Sequence, residues 1–513
     1  MTSQTSLIST ASELIGDRPL RDFQRRACEA LLAGRDVLLV APTGAGKSLC
    51  YQLMTKITGR PTLVVSPLIA LMDDQAAGSA RLALKAACLH SGIEGRRQWM
   101  TVASWMSGTL NVLYTSPERL RDQRLLAALD ANPPGLIVID EAHCITTWGR
   151  RFRPAYRQIG DLARQYSGTP VLAMTATAKS AIQRDIADTL GLKGHVTVSE
   201  PLALTQITVK AVHAATAAER ATVLGDLARR DDLFPMVIFC ILRKHCEVVA
   251  ALLRRLGLTA FVYHAGMPLA QRAEVSDAFQ AGGGRTVLVA TSAYEMGVNV
   301  PGIRSVIHYG LPASLESYVQ GIGRAGRDGR PAMAILLYAD ADLDILDSLE
   351  NLGCSSSSAP DDHLNLAAQD AYAFAATRSC RKAFLGSYFH PETRSTGLAR
   401  CGWCDNCERL GPAATRSGDE AAAIEFELRR WRRKIAVAAG KPAFTVFTDR
   451  ELARIAIHRP LSAAELADVV GIRRPSIDRY GKELIELVRT LSMVQKQVAK
   501  SLFATYNLNN EGT

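Results

Sequence analysis

The sequence has no long hydrophobic run. Its apolar stretches, such as Leu136–Ile139, are short and bounded by polar residues, which excludes a bilayer-spanning helix of about 20 residues. Met1 to Ser9 carry neither a basic cluster nor an apolar core. They do not read as a secretory leader, and the expected location is the cytoplasm. Cysteines are few and odd in number, eleven in 513 residues. In a chain read as intracellular that argues against a disulfide framework and turns attention to the clustered ones as metal ligands. Positive charge is in excess, with 60 Lys+Arg against 50 Asp+Glu, a net charge of +10 and a pI near 9.1. Such an excess favours a polyanionic partner through counterion release, without saying which. With 48% apolar and 21% charged residues, the chain reads as a soluble globular protein of about three or four domains.

Short β-rich apolar runs alternate with helical stretches through the first two thirds. They are Val37–Val40, Leu63–Val65, Val112–Tyr114, Leu136–Ile139 and Val171–Met174, then Val237–Phe239, Thr286–Val289, Ser305–Ile307 and Ala334–Leu337. Continuous apolar strands between helices imply α/β architecture, with parallel sheets covered on both faces. Two such blocks predict two tandem lobes, over 1–200 and 201–350. Cys354–Asp362, with four consecutive serines and Pro360, reads as a linker, and Gly411 to Gly418 as a second boundary before an all-helical end.

Ala41-Pro42-Thr43-Gly44-Ala45-Gly46-Lys47-Ser48 follows the strand Val37–Val40 and precedes a helical stretch. Glycines let the backbone curl so that successive N–H groups face phosphate oxygens at the positive end of a helix. Thr43, Gly44, Ala45 and Gly46 thus form a phosphate cradle, Lys47 reaches the β and γ phosphates of ATP, and Ser48 ligates Mg2+. Leu136–Ile139 runs into Asp140-Glu141-Ala142-His143. Carboxylates at a strand's C-terminal end suit this fold, Asp140 for Mg2+ and Glu141 for the attacking water. Gln320-Gly321-Ile322-Gly323-Arg324-Ala325-Gly326-Arg327-Asp328-Gly329 places two arginines three residues apart, on one face of a helix.

Asp140–His143, Ala173 to Ala178 and Gln320 to Gly329 together resemble the motif series of superfamily 2 helicases, and within it the RecQ family. Ala41 stands where the strict phosphate-loop pattern has glycine, as in helicase variants of the loop. Leu20-Arg21-Asp22-Phe23-Gln24, shortly before Gly34-Arg35-Asp36, resembles that family's adenine-reading segment, which implies that Gln24 bonds adenine and Arg21 helps to hold the base. Ser66 to Met72 and Thr115 to Leu120 resemble its strand-gripping motifs. The resemblance makes Gln320, Arg324 and Arg327 catalytic candidates, the arginines as fingers reaching across a cleft. Gly321 stands where the family usually has glutamate, and Tyr294-Glu295-Met296-Gly297 where it has Phe-Gly-Met-Gly; these differences bear on coupling more than on ATP binding.

Cys144 to Tyr156 resembles the family's aromatic-rich loop. Trp148 and Phe152 can stack on bases of a single strand while Arg153 contacts phosphate. The other reading is a buried helical stripe of Trp148, Phe152 and Tyr156, interrupted by Arg150, Arg151 and Arg153. Thr146-Thr147 and Arg150-Arg151 differ from the family's Ser-Gln and His-Asp.

Cys380, Cys401, Cys404 and Cys407 have the spacing C-x20-C-x2-C-x2-C. Four thiolates with no open position predict a structural Zn2+, in a module over 351–415 that resembles the RecQ zinc module. The remaining cysteines read as packing residues. In most of the family a winged helix follows. Here too little chain remains for one before 424–495, which resembles the helical HRDC domain at Leu428 to Arg432, Lys441 to Phe444, Asp449 to Leu452, Arg459 to Leu461 and Gly471 to Gly481. A degenerate winged helix is the alternative. Arg429, Arg430, Arg432, Arg433 and Lys434 read equally as phosphate contacts or as a solvated helix face.

The resemblance implies two RecA-like lobes, a zinc module and a helical C-terminal domain. Together they would make a monomeric ATP-dependent DNA helicase moving 3′ to 5′ on single-stranded or forked DNA in repair or recombination, with ATP, Mg2+ and Zn2+ and no membrane. The rivals are a DNA-stimulated translocase with little unwinding, an RNA helicase, and a binding module with a dead ATP site. Intact Lys47, Asp140, Glu141 and Arg327 argue against the last.

Overall fold

The computed structural model describes residues 2–16, 19–67, 69–147, 157–176, 178–202, 204–294, 300, 302–353, 362–389, 400–410, 417–439, 445–469 and 474–491. The chain divides into two compact units. One comprises 1–355 with the short pieces 367–375 and 388–390, and the other holds the remaining C-terminal residues.

The first unit contains two parallel sheets. The strands of the first are β1 Val37–Val40, β2 Thr62–Val65, β3 Ala86–Leu89, β4 Val112–Thr115, β5 Leu136–Ile139, β6 Val171–Thr175 and β7 Val196–Ser199, in the order β3-β4-β2-β5-β6-β1-β7. Alternate residues of each inner strand serve opposite faces. Leu38, Val40, Leu63, Val65, Ile137 and Ile139 pack into one core, while Val37, Leu39, Val64, Leu136 and Val138 pack into the other. Cover on both faces is why these strands read as unbroken apolar runs.

The second sheet is built from β8 Ile207–His213, β9 Met236–Cys240, β10 Thr259–Tyr263, β11 Thr286–Ala290, β12 Ser305–Tyr309 and β13 Ala332–Tyr338, in the order β10-β11-β9-β12-β13-β8. Met236, Ile238, Val287, Val289, Ile307 and Ile335 fill one face. Val237, Phe239, Leu288, Val306 and Leu336 are buried on the other. Every strand pairing in both sheets is parallel. The lobes are therefore two copies of one α/β plan.

In the second unit the helix Ser417–Ala438 is followed by Asp449–His458, Ala463–Asp468 and a helical stretch over 474–491. Ile424, Leu428, Trp431, Phe447, Leu452, Ile455, Leu466, Leu484 and Val488 form its core. Thr448 caps Asp449–His458 reciprocally, its hydroxyl accepting from Glu451 N at 3.3 Å while its own N–H donates to the Glu451 carboxylate at 2.5 Å. Only residues 411–416 separate the helix Asp405–Leu410 from Ser417–Ala438, an interval far too short for a winged helix. Among the described residues no helix is long and apolar enough to cross a membrane.

Candidate functional site

Strand register assembles the site. β1 pairs with β6 so that Val40 lies beside Thr175, and β6 pairs with β5 so that Ala173 lies beside Ile139. The segments after β1, β5 and β6 therefore emerge at one sheet edge, where ligands of open α/β sheets sit. Gly44 and Gly46 adopt φ of +77° and +86°, a conformation that glycine enters without a Cβ clash and that turns the loop's amides outward. A Cβ at Gly46 would stand 2.9 Å from Gln24 Nε2. The Gln24 amide donates to Gly46 O at 3.0 Å and accepts from Arg21 N at 3.0 Å, so the buried Gln24 side chain is tied to the phosphate loop. Lys47 Nζ donates to the carbonyls of Ala41 and Pro42 at 2.8 and 3.3 Å. Burial lowers its pKa, against the opposing pull of Glu141 and Asp140.

Asp140 is buried, and desolvation first and Glu141 second push its carboxyl up to about 6. Gln75 Nε2 donates to its Oδ2 at 3.0 Å, and its Oδ1 accepts from Glu141 N at 3.1 Å. Gln75 also accepts from Tyr51 Oη at 3.1 Å, and the Ser48 hydroxyl meets that same phenol. A polar chain thus links Ser48 to Asp140 through Tyr51 and Gln75. Sequence reading missed Gln75 because an amide on an amphipathic helix carries no spacing signal. Glu141 holds a left-handed backbone, φ +47°, a strain of about 1–3 kcal/mol that tends to gather at functional sites. Desolvation also raises its pKa, while Lys47 and Arg324 lower it.

His143 connects the lobes. Its Nδ1 lies 3.1 Å from Thr175 Oγ1, and its Nε2 lies 3.4 Å from Gln320 Nε2 of the second lobe. Because the Gln320 amide nitrogen can only donate, Nε2 is the acceptor and the ring proton sits on Nδ1. Burial lowers the His143 pKa to about 4, so the ring is neutral at pH 7.

The second lobe brings its cations to the loop. A Cβ at Gly44 would stand 3.6 Å from Arg327 Nε, and one at Gly323 would stand 3.6 Å from Thr43 Cβ. Burial pulls Arg327 down to about 10, with Arg324 acting in the same direction. Arg324 is buried, stands 5.7 Å from the Tyr294 ring centroid and acts on Glu141 electrostatically. A Cβ at Gly321 would meet His308 Nε2 at 3.0 Å and Phe239 at 3.3 Å; the space a side chain at 321 would take is filled by His308. Ser66 and Thr115 also share an edge, Ser66 N donating to Thr115 O at 3.0 Å. Trp148, Phe152 and Arg153 lie outside the described residues.

In the second unit the Sγ atoms of Cys380, Cys401, Cys404 and Cys407 all lie within 4.8 Å of one another. That spacing fits one tetrahedral ion with Zn–S bonds of about 2.3 Å. Cys401 N donates to Cys380 Sγ and Trp403 N to Cys401 Sγ, each at 3.3 Å. Arg381 and Asp405, both buried, pair at 2.5 and 2.9 Å, and Asn406 donates to Thr377 O and Ser379 O at 2.8 Å. The donor set and its surroundings suit a closed structural site. The basic run of Ser417–Ala438 is partly spent internally: Arg432 donates to Phe447 O at 2.7 Å and Arg430 pairs with Glu427 at 3.0 Å.

The chain matches the DEAD/DEAH box helicase family over 21–185, the helicase conserved C-terminal domain over 206–329 and the HRDC domain over 422–488. It is 36% identical over 398 residues to the ATP-dependent DNA helicase RecQ of Pasteurella multocida, covering 77% of this chain and 60% of that one. Against the human ATP-dependent DNA helicase Q4 it is 38% identical over 347 residues, covering 63% of this chain and 28% of that one. The chain thus spans less than two thirds of the length of these relatives. Among solved structures, S. cerevisiae Dbp5 bound to RNA and ADP BeF3 superposes with a TM-score of 0.54 at 18% identity, covering 71% of this chain and 97% of that one. The DUF1998 helicase MrfA bound to DNA and AMPPNP gives the same score, 0.54, at 20% identity, covering 72% of this chain and 56% of that one. Likeness at that identity concerns the fold alone.

Proposed function

The chain belongs to the RecQ helicase family and carries an HRDC domain, and from that premise we propose that it is an ATP-dependent DNA helicase. The observation that carries this reading is the approach of Arg327 to Gly44 of the phosphate loop, across a cleft from Lys47.

In the proposed reaction Thr43 to Gly46 wrap the phosphates of ATP with backbone amides, and Lys47 leaves the carbonyls of Ala41 and Pro42 for the β and γ oxygens. Arg21 and Gln24 hold the adenine end, and the bond from Gln24 to Gly46 ties base recognition to the loop. Mg2+, for which Ser48 and Asp140 supply the hard oxygen donors, would neutralise phosphate charge and fix its orientation. Glu141 positions the attacking water and takes its proton. Arg324 and Arg327 stabilise charge on the transferring phosphoryl group, a contribution of roughly 10³–10⁵ in rate for an arginine finger. Gln320, resting on His143, reports the state of the first lobe's site to the second. Lobe closure on ATP and reopening after hydrolysis would then advance the motor along a single strand, with Trp148, Phe152 and Arg153 gripping it. Direction 3′ to 5′ and a role in repair or recombination follow from the family resemblance, and a monomeric, cytoplasmic protein is proposed with them. The domains are assigned as lobes over 1–200 and 201–350, a zinc module held by Cys380, Cys401, Cys404 and Cys407 over 351–415, and the HRDC domain over 424–495.

The test is fork unwinding measured in parallel with ATPase, for wild type and Lys47→Ala, on forks with 3′ or 5′ single-stranded arms and on matched RNA. DNA-stimulated hydrolysis and strand separation, both lost in Lys47→Ala, are expected; a wild type that does neither when zinc-loaded would refute the proposal. The brief interval 411–416 favours a second reading, a DNA-stimulated translocase that separates strands poorly. Hydrolysis without unwinding is its signature.

A further inference from the structure

Four polar side chains outside the ATP machinery meet between the lobes. Glu316 lies four residues before Gln320 on the helix Leu315–Ile322, hence near the same helix face, and acts electrostatically on His143. The hydroxyl of Tyr388, on the helix Arg381–Phe389, interacts with the carboxylates of both Glu316 and Asp370, its single proton serving one of them at a time. Asp370 accepts from Lys179 Nζ at 3.2 Å, and that ammonium stands 3.7 Å from the centroid of the Tyr388 ring. Lys179 belongs to the first lobe, as the N-cap of the helix Ser180–Leu190, four residues after the Thr175 that contacts His143.

The helix that carries Asp370, Asp362–Ala376, is fixed to the second lobe by its buried Phe374, whose ring lies 5.1 Å from that of Tyr318 on Leu315–Ile322. Lys179 is therefore the first-lobe end of a tie whose other end is the helix carrying Gln320. The Lys179 and Asp370 side chains retain 35% and 20% of their exposure. Their ion pair, with the tyrosine face beneath the cation, is partly shielded from water and worth more than an exposed pair.

We propose that Lys179, Asp370, Tyr388 and Glu316 form a latch that holds the lobes in the nucleotide-gripping arrangement, with Lys179 and Tyr388 as positioning residues for ATP turnover; this rests on the helicase reading above. A ligand that binds only the closed form has its apparent affinity reduced by the fraction of molecules closed beforehand. Losing the latch therefore raises KM for ATP and leaves kcat, measured at saturation, nearly unchanged.

The experiment compares the full-length wild type with Lys179→Met, Tyr388→Phe, the conservative Lys179→Arg, and the charge-reversed pair Lys179→Asp with Asp370→Lys. ATP kinetics are measured beside energy transfer between fluorophores on the helices Gln123–Ala131 and Arg243–Arg255. Lys179→Met and Tyr388→Phe should raise KM by about fivefold with kcat within twofold, and should need more non-hydrolysable ATP analogue to reach the high-transfer state. Lys179→Arg should restore wild-type values, and the reversed pair, which regains the ion pair without the contacts to Tyr388, should recover part of the loss of its single variants. Unchanged KM and unchanged transfer in both Lys179→Met and Tyr388→Phe overturn the latch, as does a reversed pair no better than its single variants. Should the wild type bind nucleotide without hydrolysing it, the helicase reading fails, and the analogue dependence of energy transfer still decides for or against the latch.

Discussion

The two lobes share one strand plan and differ in what fills the same place. Counted from its own first strand, each sheet runs third, fourth, second, fifth, sixth, first, and the first lobe adds β7 outside that order. In the first lobe the ends of β1, β5 and β6 lead to the phosphate loop, to Asp140 and to Thr175. In the second, the equivalent ends of β8, β12 and β13 converge on a buried ion pair. Arg220 Nη2 donates to both oxygens of Asp342 at 2.8 and 2.9 Å and Nε donates to Ala214 O, after β8; Asp342 accepts from Leu311 N, after β12, and from Ala339 N, after β13. One lobe leaves this edge free for an anionic ligand, while the other fills it with its own arginine and carboxylate. The second lobe's chemistry then lies in the cations after Leu315–Ile322, which face the first lobe's loop.

The sharpest way to break that contrast uses two arginines of the same lobe, the half-buried Arg327 and the buried Arg220. Arg327→Ala should lower kcat for ATP by about 10³-fold or more while leaving nucleotide binding detectable. Arg220→Ala, in whatever fraction folds, should leave kcat within twofold. Comparable kinetic losses in both would erase the distinction between a reaching arginine and a filling one; steady-state ATPase with nucleotide titration decides it.

Next in size is the ion pair itself. Asp342→Ala leaves the Arg220 charge buried without its partner, a defect of about 3–5 kcal/mol, so it should lower the second lobe's unfolding midpoint clearly. Glu29, whose carboxylate pairs with Arg25 at 3.0 Å with both side chains partly exposed, provides the control: Glu29→Ala should cost no more than about 1 kcal/mol. Denaturant unfolding followed by circular dichroism measures both, and equal midpoints would show that the second lobe's strand ends contribute nothing special.

The same contrast explains what could be read from residues alone. Inner strands such as β1, β2, β5, β9 and β12 are buried on both faces, and their unbroken apolar runs gave them away. The strands that went unread are β3, β7, β8 and β10, and these are the sheet edges. An edge strand is half-covered, so β8 alternates buried and part-exposed residues and β7 holds a single buried one, a pattern that polar loops imitate. In the site, the phosphate loop and the carboxylates were legible because their chemistry demands fixed residue types at short spacing. Gln75, Lys179, Glu316 and Tyr388 were not, because they matter through neighbours far away in the chain. Glu141 was read as a carboxylate, yet its left-handed backbone is set by surrounding structure and has no sequence signature.

The smallest effect concerns two buried histidines. His143 in the first lobe lies within reach of Thr175 and Gln320. His308 on β12 has neither ring nitrogen hydrogen-bonded and sits against Tyr318, 4.9 Å away between centroids, and Phe239, 5.3 Å away. Burial alone pushes its pKa down to about 3. Above pH 6.5 the ring is neutral both folded and unfolded, and its titration contributes nothing to the pH dependence. As pH falls from about 6.5 toward 3, the unfolded chain takes up a proton that the native ring refuses, so stability drops by up to about 1.4 kcal/mol per unit. His308→Leu should therefore flatten the acid limb of second-lobe stability between pH 6 and 4 and leave its slope above pH 7 unchanged. The variant also opens the space beside Gly321, so Gly321→Glu, expected to destabilise the wild type by crowding His308, should cost less in the His308→Leu background. An acid limb equally steep with and without His308 would mean that the ring finds a proton acceptor, and the second lobe's interior would then be less closed than its filled strand ends imply.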